Sequence, residues 1–263
     1  MSVAAAKRVE ATVPAFEDWT QARLAHFERL ADATLPPATR APQRLHQAMR
    51  YAVLDGGKRV RPLLVYAAAE LAGAPAAAAD CAALAVEYVH VYSLAHDDLP
   101  CMDDDVLRRG KPTLHVAFDE ATAMLAGDAL QAEAFRLLAE APLPAESVRE
   151  LMRALAQAAS TAGMCGGQAI DLAAVGRRLS LAELEQMHRM KTGALLAAAV
   201  RMGALCGPPE TLGAAAWREL DAYATALGLA FQIVDDVLDV EASSAALGKT
   251  AGKDAAQNKP TYV

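Results

Sequence analysis

The chain has 263 residues, 54% of them hydrophobic and only 5% aromatic, with a formal charge of −7. That length can bury a sizeable core as one domain or two. The acidic balance, with no basic stripe to offset it, argues against a nucleic-acid-binding protein.

The apolar residues are mainly Ala, Leu, Val and Met, which favours helix over strand. Helical periodicity recurs nearly throughout. A first amphipathic segment runs from about Phe16 to Leu35 and stops at Pro36-Pro37. A second covers about Pro42 to Leu54 and ends at Asp55-Gly56-Gly57. A third starts near Arg59, with Pro62 tolerated in its first turn, and ends at Gly73. The fourth, from about Ala76 to Leu99, carries an acidic cluster at its C-terminal end. Further helices are predicted near 116–125, 128–140, 145–165, 181–206 and 213–243, separated mostly by Gly, Pro or Ser-containing breaks. No alternating strand pattern of useful length occurs, so a packed all-α bundle is expected.

No run approaches the ~18 apolar residues of a membrane span. The N-terminus has no stretch of signal-peptide type. The four cysteines, Cys81, Cys101, Cys165 and Cys206, form no CxxC pair. Their spacing suits neither a zinc site nor a disulfide scaffold. A reduced, cytoplasmic compartment is the expectation.

Two aspartate-rich stretches carry the chemistry. The second, Phe231-Gln-Ile-Val-Asp-Asp-Val-Leu-Asp239, has helical spacing. Asp235 and Asp239 are i and i+4 and share a face, and Gln232 extends the polar stripe. The apolar flanks favour an interior cavity wall; an exposed amphipathic helix with its acids outward is the plainer alternative. The first stretch, Asp97-Asp98-Leu-Pro-Cys-Met-Asp103-Asp104-Asp105, cannot work on an unbroken helix. Asp97 and Asp103 would stand about 240° apart. Pro100 breaks the ladder and lets the chain fold Asp103 back toward Asp97. Carboxylates so crowded need a counter-charge, and an oxygen-only ligand set suits magnesium together with substrate phosphates. Arg108 and Arg109 follow closely and offer bidentate donors to phosphate.

A third constellation is Gly56-Gly57-Lys58-Arg59-Val60-Arg61-Pro62. It lacks the spacing and preceding strand of a P-loop. A helix N-terminus flanked by cations can instead hold an anion without metal; a solvated basic turn is the plainer alternative.

These residues resemble those of the trans-isoprenyl diphosphate synthases, the farnesyl-forming bacterial members most closely. The resemblance lies in GGKRVRP, EYVHVYSLAHDDLPCMDDDVLRRGKPTLH, LAGDAL, GMCGGQAIDL, MKTGALL and FQIVDDVLDV, in that order, from about Leu45 to the end of the chain. It implies the isoprenoid synthase fold, a helical bundle around a deep central cavity, usually as a homodimer. It implies that Asp97, Asp98 and Asp103 bind magnesium on one wall and Asp235 and Asp239 on the other. Arg108, Lys191, Lys249 and Lys259 would hold the allylic diphosphate, dimethylallyl or geranyl, with Thr192 and Gln232 near the reactive carbon. Lys58, Arg61, His90 and Arg109 would bind isopentenyl diphosphate.

Ionisation, condensation and proton elimination would then give farnesyl diphosphate. Tyr92 and Ser93, about one turn before Asp97, would set product length, with the tyrosine as a floor. His96 is expected to pack or hydrogen-bond rather than act as a base. The whole of 1–263 reads as one polyprenyl synthetase domain that lacks the C-terminal helices with which the family usually continues. A geranylgeranyl or longer-chain synthase is the nearest alternative. A class I terpene cyclase would need no second diphosphate site, and a non-catalytic helical subunit would be expected to lose one acidic motif.

Overall fold

The computed structural model describes residues 15–54 and 56–241, and they are almost entirely helical. The elements are α1 (Phe16–Thr34), α2 (Gln43–Val53), α3 (Val60–Leu71), α4 (Ala76–Asp97), β1 (Leu107–Arg108), β2 (Lys111–Pro112), α5 (Leu114–Ala117), α6 (Glu120–Ala139), α7 (Ala145–Ala159), α8 (Met164–Ala173) and α9 (Leu181–His188). A π-helical turn, Arg189–Gly193, follows without a break and leads into α10 (Ala194–Leu205); α11 spans Ala214–Glu241.

Helix α4 is the centre of the bundle. Ala78, Ala82, Ala83, Ala85, Val86, Tyr88 and Val89 are all buried, so it is covered on every side. Helices α3, α6 and α10 pack around it. Alanine on most faces keeps the helix thin and lets these neighbours close in. Helix α1 docks through Phe27 and Ala31, both fully buried. Burying a side chain the size of Phe27 stabilises the fold by roughly 1.5–3 kcal/mol.

Close helix approach is set by glycine. A Cβ at Gly203 of α10 would lie 2.3 Å from the Val65 carbonyl oxygen of α3, and one at Gly207 equally close to the Ala72 carbonyl oxygen. The predicted helices near 116–125 and 128–140 turn out to be the short α5 and a continuous α6. Gly127, which reads as a break, lies inside α6 because the His96 ring occupies the place of a side chain there. A Cβ would meet His96 Nε2 at 2.2 Å. Asp119 starts α6 properly, its carboxylate accepting the Thr122 N–H at 2.6 Å. The predicted helix at 145–165 ends early, at Ala159. Gly163 then starts α8, which the paired glycines Gly166 and Gly167 hide from a periodicity argument.

The hairpin β1–β2 is not foreseen by the sequence pattern, since two-residue strands are too short to alternate. Leu107 faces Pro112 and Arg108 faces Lys111 in an antiparallel register. Both turn residues have positive φ, Arg109 at 54° and Gly110 at 76°. This is the two-residue primed turn whose twist matches a hairpin.

Gly203→Ala should lower stability by about 1–3 kcal/mol through overpacking, although alanine is normally better than glycine by ~1 kcal/mol in a helix interior. Urea denaturation measures this, and an unchanged or raised midpoint would contradict the close approach of α10 to α3.

Candidate active site

The first acidic cluster folds as Pro100 predicts. Helix α4 ends at Asp97, and the Asp103 N–H donates to the Asp97 carbonyl at 2.8 Å. Met102 and Asp104 donate to the Leu99 carbonyl at 2.9 and 3.1 Å, and Asp105 to the Asp98 carbonyl at 3.2 Å. Asp104 takes a left-handed conformation, φ 49°, to make the return. The turn therefore brings Asp103 beside Asp97.

Asp97 and Asp98 diverge, as consecutive residues at a helix end must. Asp98 is 3% exposed and its carboxylate is held by Arg108. Arg108 Nε donates to both Asp98 oxygens at 2.8 and 2.9 Å, and Nη2 donates to Oδ1 at 2.5 Å. A longer contact of 3.4 Å joins Nη2 to Asp105. Thr113 Oγ1 in turn donates to the Asp105 carbonyl at 2.5 Å. Burial opposes the charge on Arg108, but the Asp98 hydrogen bonds and charge outweigh it and hold its pKa above the ordinary value. The metal-ligand role expected of Asp98 is thus not the one this geometry favours, because an arginine already answers its charge. A small cavity of about 60 Å³ lies beside the pair, lined in part by Tyr51, Leu94, Pro112 and Leu114. These mostly apolar walls limit water around it.

Asp97 differs. Burial raises its pKa to about 6; Lys191 opposes the shift, and the neighbouring Asp103 adds to it. Lys191 stands on the π-helical turn and donates from Nζ to Asp171 of α8 at 2.5 Å. Burial works against its ammonium, but Asp171, Asp97 and Asp103 together raise its pKa. The lysine therefore lies in the field of three carboxylates. A Cβ at Gly167 would lie 2.2 Å from the Lys191 backbone nitrogen, so glycine there lets the turn rest directly on α8. Single-turn π-helical insertions often mark functional sites. This one also carries Thr192, whose hydroxyl donates to Gln232 Oε1 on α11 at 3.0 Å. The two elements touch backbone to backbone: a Cβ at Gly228 would lie 2.9 Å from the Gly193 Cα.

Asp235 follows Gln232 by about one turn on α11 and is half-buried. The backbone of Asp239 belongs to α11, but its side chain, like Lys249 and Lys259, lies outside the described residues. Among the described residues no group of three or more His, Cys, Asp or Glu is arranged to hold a metal ion. A cage of that kind is not required for magnesium, which usually takes one or two carboxylates plus substrate phosphates. Asp97 and Asp103 fit that need. They are crowded acidic oxygens, and burial and mutual repulsion leave Asp97 calling for positive charge.

The cationic loop is built differently. Gly56 and Gly57 have φ values of 152° and 103°, and Arg59 takes a left-handed conformation before α3 begins. Arg109 from the hairpin lies over this loop and donates from Nη1 to the Gly56 carbonyl at 2.7 Å. A Cβ at Gly57 would collide with its guanidinium at 2.6 Å. Lys58 is exposed. Arg61 is only 8% exposed, and its Nε has no hydrogen-bond partner among the described residues. Burial lowers the Arg61 pKa to about 10; Glu87 opposes the shift and Arg109 adds to it. Burial also lowers Arg109, helped by Arg59. His90 is held well below the usual histidine range by burial and by Arg61, Arg109, Arg108 and Arg59. Cations crowded in this way would be relieved by an anion, and His90 lies in their field.

Tyr92 is buried, its hydroxyl 3.9 Å from Cys165 Sγ of α8 and its ring edge-on to His96. Ser93 turns its hydroxyl back to the His90 carbonyl at 2.7 Å. His96 Nε2 donates to the Met124 carbonyl at 3.0 Å, the hydrogen-bonding role expected of it. Sequence reasoning missed Asp171 and Gln168. They stand i and i+3 on α8 beside paired glycines, which is the signal that was available. Gln168 is buried with both amide atoms unpartnered among the described residues.

An acidic cluster and a cationic loop set side by side in an all-helical bundle define an isoprenoid synthase. The chain belongs to the polyprenyl synthetase family, whose sequence profile matches residues 42–263. It is 57% identical over 218 residues to a probable farnesyl diphosphate synthase of Bradyrhizobium diazoefficiens, covering 82% of this chain and 66% of that protein. The chain thus spans about two thirds of that relative's length. Identity to the farnesyl diphosphate synthase of Escherichia coli is 52% over 219 residues, covering 82% and 73%. The fold is similar to that of a Helicobacter pylori geranyltransferase solved with magnesium and isoprenyl diphosphate. The TM-score is 0.85 at 33% identity, covering 96% of this chain and 84% of that one.

Asp98→Ala should destabilise the protein by about 3 kcal/mol, because it leaves the Arg108 charge without its partner. Adding Arg108→Met should recover part of that loss. Chemical denaturation decides, and a cost below about 1 kcal/mol, the range of exposed pairs, would contradict the buried coupling.

Proposed function

We propose that the chain is a prenyltransferase that condenses isopentenyl diphosphate with dimethylallyl and then geranyl diphosphate. The products are (2E,6E)-farnesyl diphosphate, inorganic diphosphate and a proton. The observation that carries this reading is the pairing of two unlike anion sites. One is acidic and needs a metal ion to hold a diphosphate. The other is cationic, with an unpartnered Arg61 Nε, and needs none. A terpene cyclase has use for only the first. The names of the relatives support the same activity.

Asp97 and Asp103 on one side and Asp235 and Asp239 on the other would hold magnesium, and Asp98 would act through Arg108. When bound, magnesium would neutralise the allylic diphosphate and make it a better leaving group. Lys191, Arg108, Lys249 and Lys259 add positive charge at the same group. Thr192 and Gln232 direct dipoles toward the carbon that becomes electron-poor. Lys58, Arg61 and Arg109 fix isopentenyl diphosphate, and His90 contributes as a neutral hydrogen-bonding group. The isopentenyl double bond attacks the allylic carbon as its C–O bond breaks. A proton then leaves, taken by the departed diphosphate. Apolar walls keep water from the reactive carbon, which suits a cavity with few polar side chains.

A homodimer in the cytoplasm belongs to this reading. Exposed Val116, Met124 and Leu125 on α5 and α6 support association, and four unpaired cysteines support a reducing compartment. Among the described residues no helix is long and apolar enough to cross a membrane.

Incubation with geranyl diphosphate, isopentenyl diphosphate and magnesium should yield a C15 product, and chelation should abolish it. The magnesium requirement should rise about tenfold per pH unit below ~6, where a proton on Asp97 competes with the metal, and level off above. Cyclisation of farnesyl diphosphate without condensation would overturn the assignment.

Tyr92 is proposed as the floor of the product cavity, backed by Cys165. Tyr92→Ala should shift products to C20 or longer, read by chromatography of the dephosphorylated alcohols. An unchanged C15 product would remove Tyr92 from this role.

A further inference from the structure

Arg59 stands in the middle of the cationic loop, yet its charge is not offered to a ligand. Its side chain is fully buried. Nε donates to Glu28 of α1 at 2.7 Å, Nη1 to Glu87 of α4 at 2.9 Å, and Nη2 to the Val53 carbonyl at the end of α2 at 2.5 Å. The guanidinium also lies 5.3 Å from the centre of the Phe27 ring. All three nitrogens are therefore committed, and the side chain ties α1, α2 and α4 together. Its two cationic neighbours are arranged the other way, Lys58 being exposed and Arg61 keeping a free Nε.

The backbone explains why this matters. Arg59 has φ 47° and ψ 36°, a left-handed conformation disfavoured for a side chain of this size. Such a conformation persists only where surrounding contacts over-determine it. Its carbonyl accepts the Leu63 N–H at 3.1 Å, so the same residue starts α3. Lys58 immediately precedes this turn, and Arg61 follows two residues later, inside α3. Glu87 lies three residues before His90 on α4, one turn away on a neighbouring face. The ion pair thus fixes the loop's cations relative to the histidine they face.

We propose that Arg59 is a positioning residue for the isopentenyl diphosphate site. Held by Glu87 and Glu28, it clamps the 56–61 loop so that Lys58 and Arg61 converge with Arg109 and His90 on one diphosphate. Helix α1, through Glu28, becomes part of the support of that site. This rests on the two-substrate reading given above.

The test uses the full chain and the variants Arg59→Lys, Glu87→Gln and Glu28→Gln. Arg59→Lys keeps the charge but cannot span three partners. It should raise the KM for isopentenyl diphosphate by about tenfold or more, as loss of a supporting contact does. The KM for geranyl diphosphate should stay within about twofold, and Glu87→Gln should follow the same pattern. Glu28 is 38% exposed, so Glu28→Gln should give a smaller shift in the same direction, about threefold. If the first two variants fail to fold, Glu28→Gln still decides.

Titration of inorganic pyrophosphate in the presence of EDTA reads the metal-free site without catalysis, and should weaken in the same order. Equal rises in both KM values, or a loss of thermal stability with both unchanged, would make Arg59 merely structural and overturn the positioning alone. A wild-type chain that neither condenses nor binds pyrophosphate without metal would overturn the two-substrate reading and this proposal with it.

Discussion

A buried carboxylate must have a cation within reach, and α4 together with its C-terminal cap residue carries two. Glu87 is 1% exposed and Asp98 3%. They are eleven residues apart, about three turns and ~16 Å along one face. Each is answered by an arginine from a different loop, Arg59 for Glu87 and Arg108 for Asp98. Those loops also carry Lys58 and Arg109, two of the groups proposed to bind isopentenyl diphosphate. The positions of the cationic loop and of the hairpin are therefore tied to one rigid helix, and through it to each other. Between the two carboxylates on α4 stands His90, in the field of Arg61 and Arg109.

The site sorts its arginines by what their nitrogens already touch. Arg59 and Arg108 face carboxylates, and their ionisation is reinforced. Arg61 and Arg109 are disfavoured by burial and by neighbouring arginines, Arg109 for the first and Arg59 and Arg108 for the second. The first kind has its donors engaged by protein carboxylates, whereas Arg61 keeps an Nε without a hydrogen-bond partner among the described residues. A chain with net charge −7 can present such a strongly positive spot because the effect is local and partly dry. Lys191 lies at the opposite pole, a single cation among Asp97, Asp103 and Asp171.

Much of this is legible in the sequence. Proline and glycine marked most helix ends, and Pro100 alone indicated that Asp103 must return toward Asp97. The helical stripe of Gln232 and Asp235 was readable from spacing. What could not be read depended on partners distant in sequence. Gly127 looks like a break unless one knows that the His96 ring lies against it. Asp98 looks like the twin of Asp97 until Arg108 is seen to claim it. Arg59 looks like one more cation in a basic run, and only Glu28 and Glu87 reveal otherwise. The π-helical turn inserts its extra residue without any compositional signal, and two-residue strands leave no period to detect.

The contact between Gly193 and Gly228 has a consequence for how such a bundle can change over time. Side chains that separate two helices can be exchanged for larger or smaller ones, and the spacing drifts with them. Here nothing separates the π-helical turn from α11 except two backbones, and that contact has only one size. The height of Gln232 and Asp235 above Lys191 and Thr192 is thus referred to the main chain. Mutation elsewhere in the bundle can reshape its other contacts, while the spacing between the π-helical turn and α11 is left as it was.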